Sequence, residues 1–188
     1  MDDWAFVHFH TTSLPVESND IGIACITAIP FNLEKGDRTF HVRLKVDKES
    51  GDEKTLQWYG DQEITPLLEG IVGPKGAWEM CAAYLSDQRI RRVFTFQPEV
   101  FRYKMHTVGR AIKPWQVVNI HSYLLGQGRD PVWPKWTTDH QSDCYVYTQY
   151  LKDPKLKDPT QLTLPEVFKA EEVSKKSKKK SKKKGKKK

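Results

Sequence analysis

Hydrophobic and polar positions alternate along the first dozen residues, with Ala5, Val7 and Phe9 on one side and Phe6, His8 and His10 on the other. A period of two is the signature of a strand, and the pattern predicts one over residues 4–9, ended by the turn-forming stretch from Thr11 to Pro15. Ile21 to Ile29 is an apolar, β-branched run of the kind a sheet buries on both faces, closed by Pro30. From Thr39 to Val46 the alternation returns through Phe40, Val42, Leu44 and Val46, and the polar stretch 32–37 before it reads as a hairpin loop.

The period then changes. Trp78, Cys81, Ala82 and Leu85 recur at helical spacing and predict a helix over 76–88 with one face on the sheet. Pro98 suits a first helical turn, and Phe101, Met105 and Val108 continue its stripe until Gly109 or Pro114 stops it. Residues 92–97 and 115–120 read as short strands. A loop rich in Pro and Trp fills 130–138, and a last helix over 142–151 carries Cys144, Tyr147, Thr148 and Leu151. The order β-β-β-α-β-α-β-α predicts an α/β fold with both sheet faces covered.

Composition changes this picture mainly at the C-terminus. The chain has 31 Lys and Arg against 24 Asp and Glu, and eleven of the lysines fall between Lys175 and Lys188, so residues 1–173 hold 31 − 11 = 20 basic against 24 acidic residues. The basic character belongs to the tail. Residues 174–188, low-complexity Lys with Ser and Gly, cannot bury apolar surface and are expected to be disordered. Residues 153–173, with their Lys-Asp-Pro and Leu-Pro pairs, read as an arm or linker, which leaves 1–152 as the domain. Within it, Arg89, Arg91 and Arg92, followed by Arg102, Lys104, Arg110 and Lys113, form the clearest basic grouping, open to reading either as phosphate contacts or as a solvated face.

Cys25, Cys81 and Cys144 are odd in number and widely spaced, which fits neither a disulfide framework nor a zinc ribbon, and buried structural thiols are the default. No basic leader precedes an apolar stretch and no apolar run reaches bilayer length, so a soluble, intracellular protein in cytoplasm or nucleus is expected, with no membrane partner. No Gly-x-Ser-x-Gly elbow occurs, and Gly70 to Gly76 does not align with a Walker loop.

The phrase Val7-His8-Phe9-His10-Thr11-Thr12-Ser13-Leu14 is similar to the first motif of the DEDD 3′–5′ exonucleases, whose pattern there is Val-Asp-Phe-Glu-Thr-Thr-Ser-Leu. The run from Ser18 to Pro30 looks like that family's second strand, and Thr55 to Tyr59 with Gln62 resembles the segment before the first helix in phage-type members. Phe101-Arg102 resembles the family's Phe-Asp pair, Asn119 stands where an acid opens an Asp-Val-Arg-Thr-like phrase, and His140-Gln-Ser-Asp143 resembles the final His and Asp at shorter spacing than usual. The resemblance spans about residues 4–152 and implies a ribonuclease H-like mixed sheet flanked by helices.

The resemblance also implies lost catalysis. The family's two Mg²⁺ ions need hard oxygen ligands, and His8, His10, Arg102 and Asn119 stand where acids are expected, with His140 and Asp143 as the remaining pair. The expectation is a catalytically inactive exonuclease-like protein with no cofactor. It would bind nucleic acid, or a complex that processes it, through Lys175, Lys176, Lys178, Lys179 and Lys180 and through the old cleft, aided by Arg89, Arg91, Arg92 and Arg102 and by a stacking surface drawn from Phe96, Phe101, Trp115, Trp133 and Trp136. Three alternatives stay open: a protein-interaction module, an active 3′–5′ exonuclease, and a repurposed enzyme holding a transition metal such as zinc on His8, His10, His140 and Asp143. His106 and His121 have no partner pattern and are read as structural or exposed.

Overall fold

The computed structural model describes residues 3–12, 22–33, 39–46, 52–108, 115–132 and 136–156. The Lys tail, most of the arm, Arg110, Lys113, Trp133 and most of the two turns predicted at 11–15 and 32–37 lie outside the described residues.

The chain builds β1 (Trp4–Thr11), β2 (Ile23–Pro30), β3 (Phe40–Arg43), α1 (Glu53–Asp61), a 3₁₀ turn (Thr65–Leu68), α2 (Pro74–Asp87), β4 (Arg92–Thr95), α3 (Pro98–Thr107), β5 (Gln116–Asn119), α4 (Ile120–Gly126) and α5 (His140–Lys152). The strands form one mixed sheet in the order β3-β2-β1-β4-β5. β1, β2 and β3 pair antiparallel, whereas β1, β4 and β5 run parallel. The parallel part needs crossovers long enough to return the chain to the same end of the sheet, and α2 and α3 sit at those points in the sequence.

Alternation along β1 sends its side chains into two separate cores. Ala5, Val7 and Phe9 pack with Trp78, Cys81, Ala82 and Leu85 of α2 and Val100, Phe101 and Met105 of α3. Phe6 points the other way, into a core shared with Tyr59 of α1, Leu67 and Leu68, Ile120 and Leu124 of α4, and Cys144, Tyr147 and Leu151 of α5. Every residue of β2 is buried, as its mainly apolar, β-branched run predicts, Thr27 included. The sheet is thus covered on both sides, and polar residues in the middle of β1 are enclosed wherever they point.

Three elements depart from the sequence reading. Residues 53–61, expected to precede the first helix, are themselves helical: Asp52 caps the turn by accepting from Thr55 N at 3.1 Å and from the Thr55 hydroxyl at 2.8 Å. Asn119 caps α4 in the same way, accepting from Ser122 N at 3.3 Å, and so starts a helix the apolar pattern is too short to announce. The last helix begins two residues early because Asp139 is its N-cap, accepting from Ser142 N at 3.2 Å and the Ser142 hydroxyl at 2.7 Å. That extension makes His140 the first helical residue, one turn before Cys144 and on the buried stripe with it.

Candidate functional site

Strand register assembles the site. Across the antiparallel part of the sheet His8 faces Thr27, which faces His41, and in the next row on the same side His10 faces Cys25, which faces Arg43. Directly opposed residues stand within about 5.5 Å of one another, so three strands lay out two rows of polar and thiol groups on one sheet face. α5 closes over these rows and inserts His140 and Cys144 between them.

His140 is the hub. Its Nε2 is 2.6 Å from His8 Nδ1 and 3.6 Å from Cys144 Sγ. Its Nδ1 is 2.8 Å from Thr27 Oγ1 and 3.3 Å from Cys25 Sγ, and the Thr27 hydroxyl also lies 2.7 Å from His41 Nδ1. His41, Thr27, His140 and His8 therefore form one continuous hydrogen-bonded chain, and neutral imidazoles and a hydroxyl satisfy it with the protons running in either direction. His10 joins by packing instead: its ring centroid is 4.6 Å from that of His140 and 4.8 Å from that of His8, while its Nε2 is buried with no hydrogen-bond partner among the described residues. Trp136 covers the group, its ring stacked on His8 at 3.9 Å.

Burial sets the charge of this cluster. Desolvation, reinforced by neighbouring imidazoles, pushes His8 and His140 well below the usual histidine range, and desolvation alone lowers His10 to about 3. His41, less enclosed, is lowered by burial and by the Arg43 cation. The thiols move in the opposite sense, with Cys25 pushed up to about 12 by burial and Cys144 also raised by it. At neutral pH the group is thus a set of uncharged imidazoles and thiols, the protonation state that costs least in a dry interior.

Several predicted site residues lie elsewhere. Asp143 is not among the grouped donors; it accepts from Thr137 N at 2.6 Å and from the Thr137 hydroxyl at 3.1 Å, tying down the segment that carries Trp136. Arg102 is corrected from its expected place beside a cation site. α3 packs on the opposite sheet face, and Arg102 pairs there with Glu99 at 2.6 Å and donates to Val117 O at 3.2 Å. Asn119 is a helix cap. Arg91 and Arg92 are exposed and donate their backbone N–H groups to Asp3 O, with the Arg92 guanidinium over the Trp4 ring at 5.0 Å, and Arg89 is exposed in the turn after α2. Arg92 pairs with Trp4 at the start of β1, so it stands roughly 20 Å along the strand from His10, at the other end of the sheet.

The stacking surface is corrected as well. Phe96, Phe101 and Trp136 are buried in packed cores, and Trp115 uses its indole N–H on Ile90 O at 2.9 Å. His106 is exposed, and His121 packs edge-on against Phe96 at 5.6 Å.

The cluster does not fit a pair of Mg²⁺ ions. Such ions take oxygen ligands at about 2.1 Å in near-octahedral geometry, and the groups gathered here are imidazoles, thiols and one hydroxyl. The nearby carboxylates, Asp139 and Asp143, are occupied in capping and loop contacts. Residues the sequence reading did not assign to the site are Cys25, Thr27, His41 and Cys144. For the first three, the signal lay in strand register: the pairs His8–Thr27 and His10–Cys25 follow once the β1–β2 hairpin is aligned. A sequence search finds no protein-family model and no curated protein that matches the chain.

Proposed function

We propose that this protein is a non-catalytic descendant of the DEDD 3′–5′ exonucleases on a ribonuclease H-like fold, attached through its Lys tail to nucleic acid or to a complex that processes it. One observation carries the reading: the middle of β1, where the resemblance calls for Asp-x-Glu, holds His8 and His10 in a buried, uncharged cluster without a carboxylate ligand. Three antiparallel strands followed by parallel crossovers support the fold part of the proposal.

Attachment is assigned to the tail rather than to the old cleft for two reasons. The cluster region is filled by Trp136 and α5, which leaves the buried aromatics without a free face for a base. Arg91 and Arg92 lie at the opposite end of the sheet. Lys175, Lys176, Lys178, Lys179 and Lys180 lead a segment of eleven lysines that can replace counterions along a phosphate backbone without reading sequence.

The test is degradation of 3′-labelled single strands by the full chain with Mg²⁺ and with Mn²⁺. No turnover is expected; turnover abolished by His8→Ala or His10→Ala overturns the proposal. In parallel, a chain ending at residue 173 is expected to lose both its affinity for nucleic acid and the salt dependence of that affinity. Full affinity in the truncated chain removes the tail from the mechanism.

A further inference from the structure

We infer that His10, Cys25 and His140 form a buried site for a single thiophilic transition-metal ion, Cu⁺ or Zn²⁺, held by two imidazoles and one thiolate. The site does not depend on nucleic-acid binding. Of the metal ligands expected from sequence it keeps His10 and His140, leaves out His8 and Asp143, and adds the thiol of Cys25.

The first support is geometric. One donor atom from each of the three side chains lies within 4.8 Å of the other two. With metal–nitrogen bonds of about 2.0 Å and metal–sulfur bonds of about 2.3 Å, nitrogen and sulfur ligands of one ion stand roughly 3.5 Å apart; His140 Nδ1 and Cys25 Sγ are 3.3 Å apart. The second support is independent of that spacing. His10 Nε2 is enclosed in the core with no hydrogen-bond partner among the described residues, a state that is costly in a folded protein and that coordination relieves. The third is orientation. His8 holds the remaining ring nitrogen of His140 at 2.6 Å, the kind of outer contact that fixes the tautomer and direction of a ligating imidazole.

A rival trio exists. His8, Cys144 and His140 also bring three donors within 4.8 Å, but His8 Nδ1 and His140 Nε2 at 2.6 Å are hydrogen-bonded and closer than the roughly 3.3 Å that two nitrogens on one ion require. That contact has to break before both can ligate. In the first trio the Thr27 hydroxyl contact to His140 Nδ1 yields and the Cys25–His140 contact loses its proton, but at 3.3 Å those two donors already stand near the spacing that one ion requires.

Coordination takes the Cys25 proton, which leaves to solvent as the thiolate binds. Cu⁺ with one thiolate is neutral, and Zn²⁺ with one thiolate keeps a single positive charge near the Arg43 cation, whose field reaches Cys25 and His140. Charge balance in a dry interior therefore favours Cu⁺, and softness favours both ions over Mg²⁺ or Ca²⁺. Because the donors are enclosed, loading accompanies folding.

The full chain is unfolded with chelator, refolded with Zn²⁺ or, under reducing anaerobic conditions, with Cu⁺, then desalted and analysed for metal. One equivalent of either ion is expected, with a raised unfolding temperature; Co²⁺ is expected to show thiolate-to-metal charge-transfer absorption. His10→Gln and Cys25→Ser are expected to lose the equivalent, and Cys144→Ser and Cys81→Ser, the latter on the opposite sheet face, to keep it. His10→Gln removes no hydrogen bond made through Nε2, so its fold, checked by circular dichroism, is expected to survive. Less than stoichiometric metal with both ions overturns the inference, as does loss confined to the Cys144 variant, which assigns the ion to the rival trio.

Discussion

His8 Nδ1 and His140 Nε2 are 2.6 Å apart across 132 residues of sequence, and both rings are buried. This bond ties the centre of the sheet to the first turn of α5. Removing His140 takes away the partner of His8 Nδ1, and removing His8 leaves His140 Nε2 with only the long contact to Cys144 Sγ at 3.6 Å. Each single replacement by alanine is expected to destabilise the fold by on the order of 3 kcal/mol, from the cavity and the orphaned partner together. The two losses are expected to be less than additive, with a coupling of roughly 1–3 kcal/mol in a urea-unfolding double-mutant cycle. Strict additivity would show that the contact carries no energy.

Protonation of the same cluster predicts acid lability. His10 is held at about 3 when folded and returns to the ordinary histidine value of 6.5 when exposed, so between those pH values the unfolded chain binds more protons and stability falls as pH falls. His8, His140 and His41 are displaced in the same direction by burial. Asp143 opposes them: burial raises it from 3.8 to about 6, so its contribution is present at low pH and is lost as pH rises through 6. A single group against several leaves the imidazoles dominant. Each pH unit between the folded and unfolded values is worth about 1.36 kcal/mol, so His10 alone accounts for roughly 3–5 kcal/mol between neutral pH and full protonation. Unfolding free energy of the metal-free chain, measured against pH, is expected to drop steeply below 6.5; a flat profile across the mildly acidic range contradicts a neutral cluster.

Thr27 donates or accepts toward two histidines at once, at 2.7 Å and 2.8 Å. Thr27→Val keeps the shape of the side chain and deletes the hydroxyl, so a loss of about 1–3 kcal/mol is expected. Thr27→Ser should recover most of it. Equal stability of the valine variant and the parent chain would mean that the two imidazoles find other partners.

Asp143 holds Thr137, and Thr137 is adjacent to the Trp136 ring stacked on His8. Asp143→Ala is expected to cost about 1–2 kcal/mol and to loosen that indole, read as increased quenching of tryptophan fluorescence by acrylamide. Unchanged quenching would separate Asp143 from the cover of the cluster.

Gly70 passes so close to the adjoining strand that a Cβ would meet the Leu44 carbonyl and the Arg43 backbone. The bridges Lys45–Glu69 and Leu44–Val72 hold the two segments together there. Gly70→Ala is expected to cost roughly 1–3 kcal/mol in thermal or chemical unfolding, because both colliding partners are backbone and neither can rotate away.

Much of the fold is written in the periodicity of the chain. The stripe Trp78, Cys81, Ala82 and Leu85 is buried as spaced, as are Phe101, Met105 and Val108, and Cys144, Tyr147, Thr148 and Leu151. Those stripes are legible because burying one helix face is a local requirement, repeated every turn. α1 and α4 are not legible in this way because side-chain caps on Asp52 and Asn119 start them and both are too short to repeat an apolar stripe over several turns. His140 was legible as a site residue and misplaced by one structural detail, since a cap at Asp139 put it inside the helix.

What the linear chain determined by itself was which side of β1 carries His8 and His10, because alternation along a strand is a property of covalent geometry. What only the tertiary structure decided was their company. Strand register set Thr27 and Cys25 opposite them, and the packing of α5 brought His140 and Cys144 to the same face while α3 carried Arg102 to the other side. Register and helix placement arise from burying whole faces at once, so contacts between residues more than a hundred positions apart follow from the assembled core and not from any local pattern.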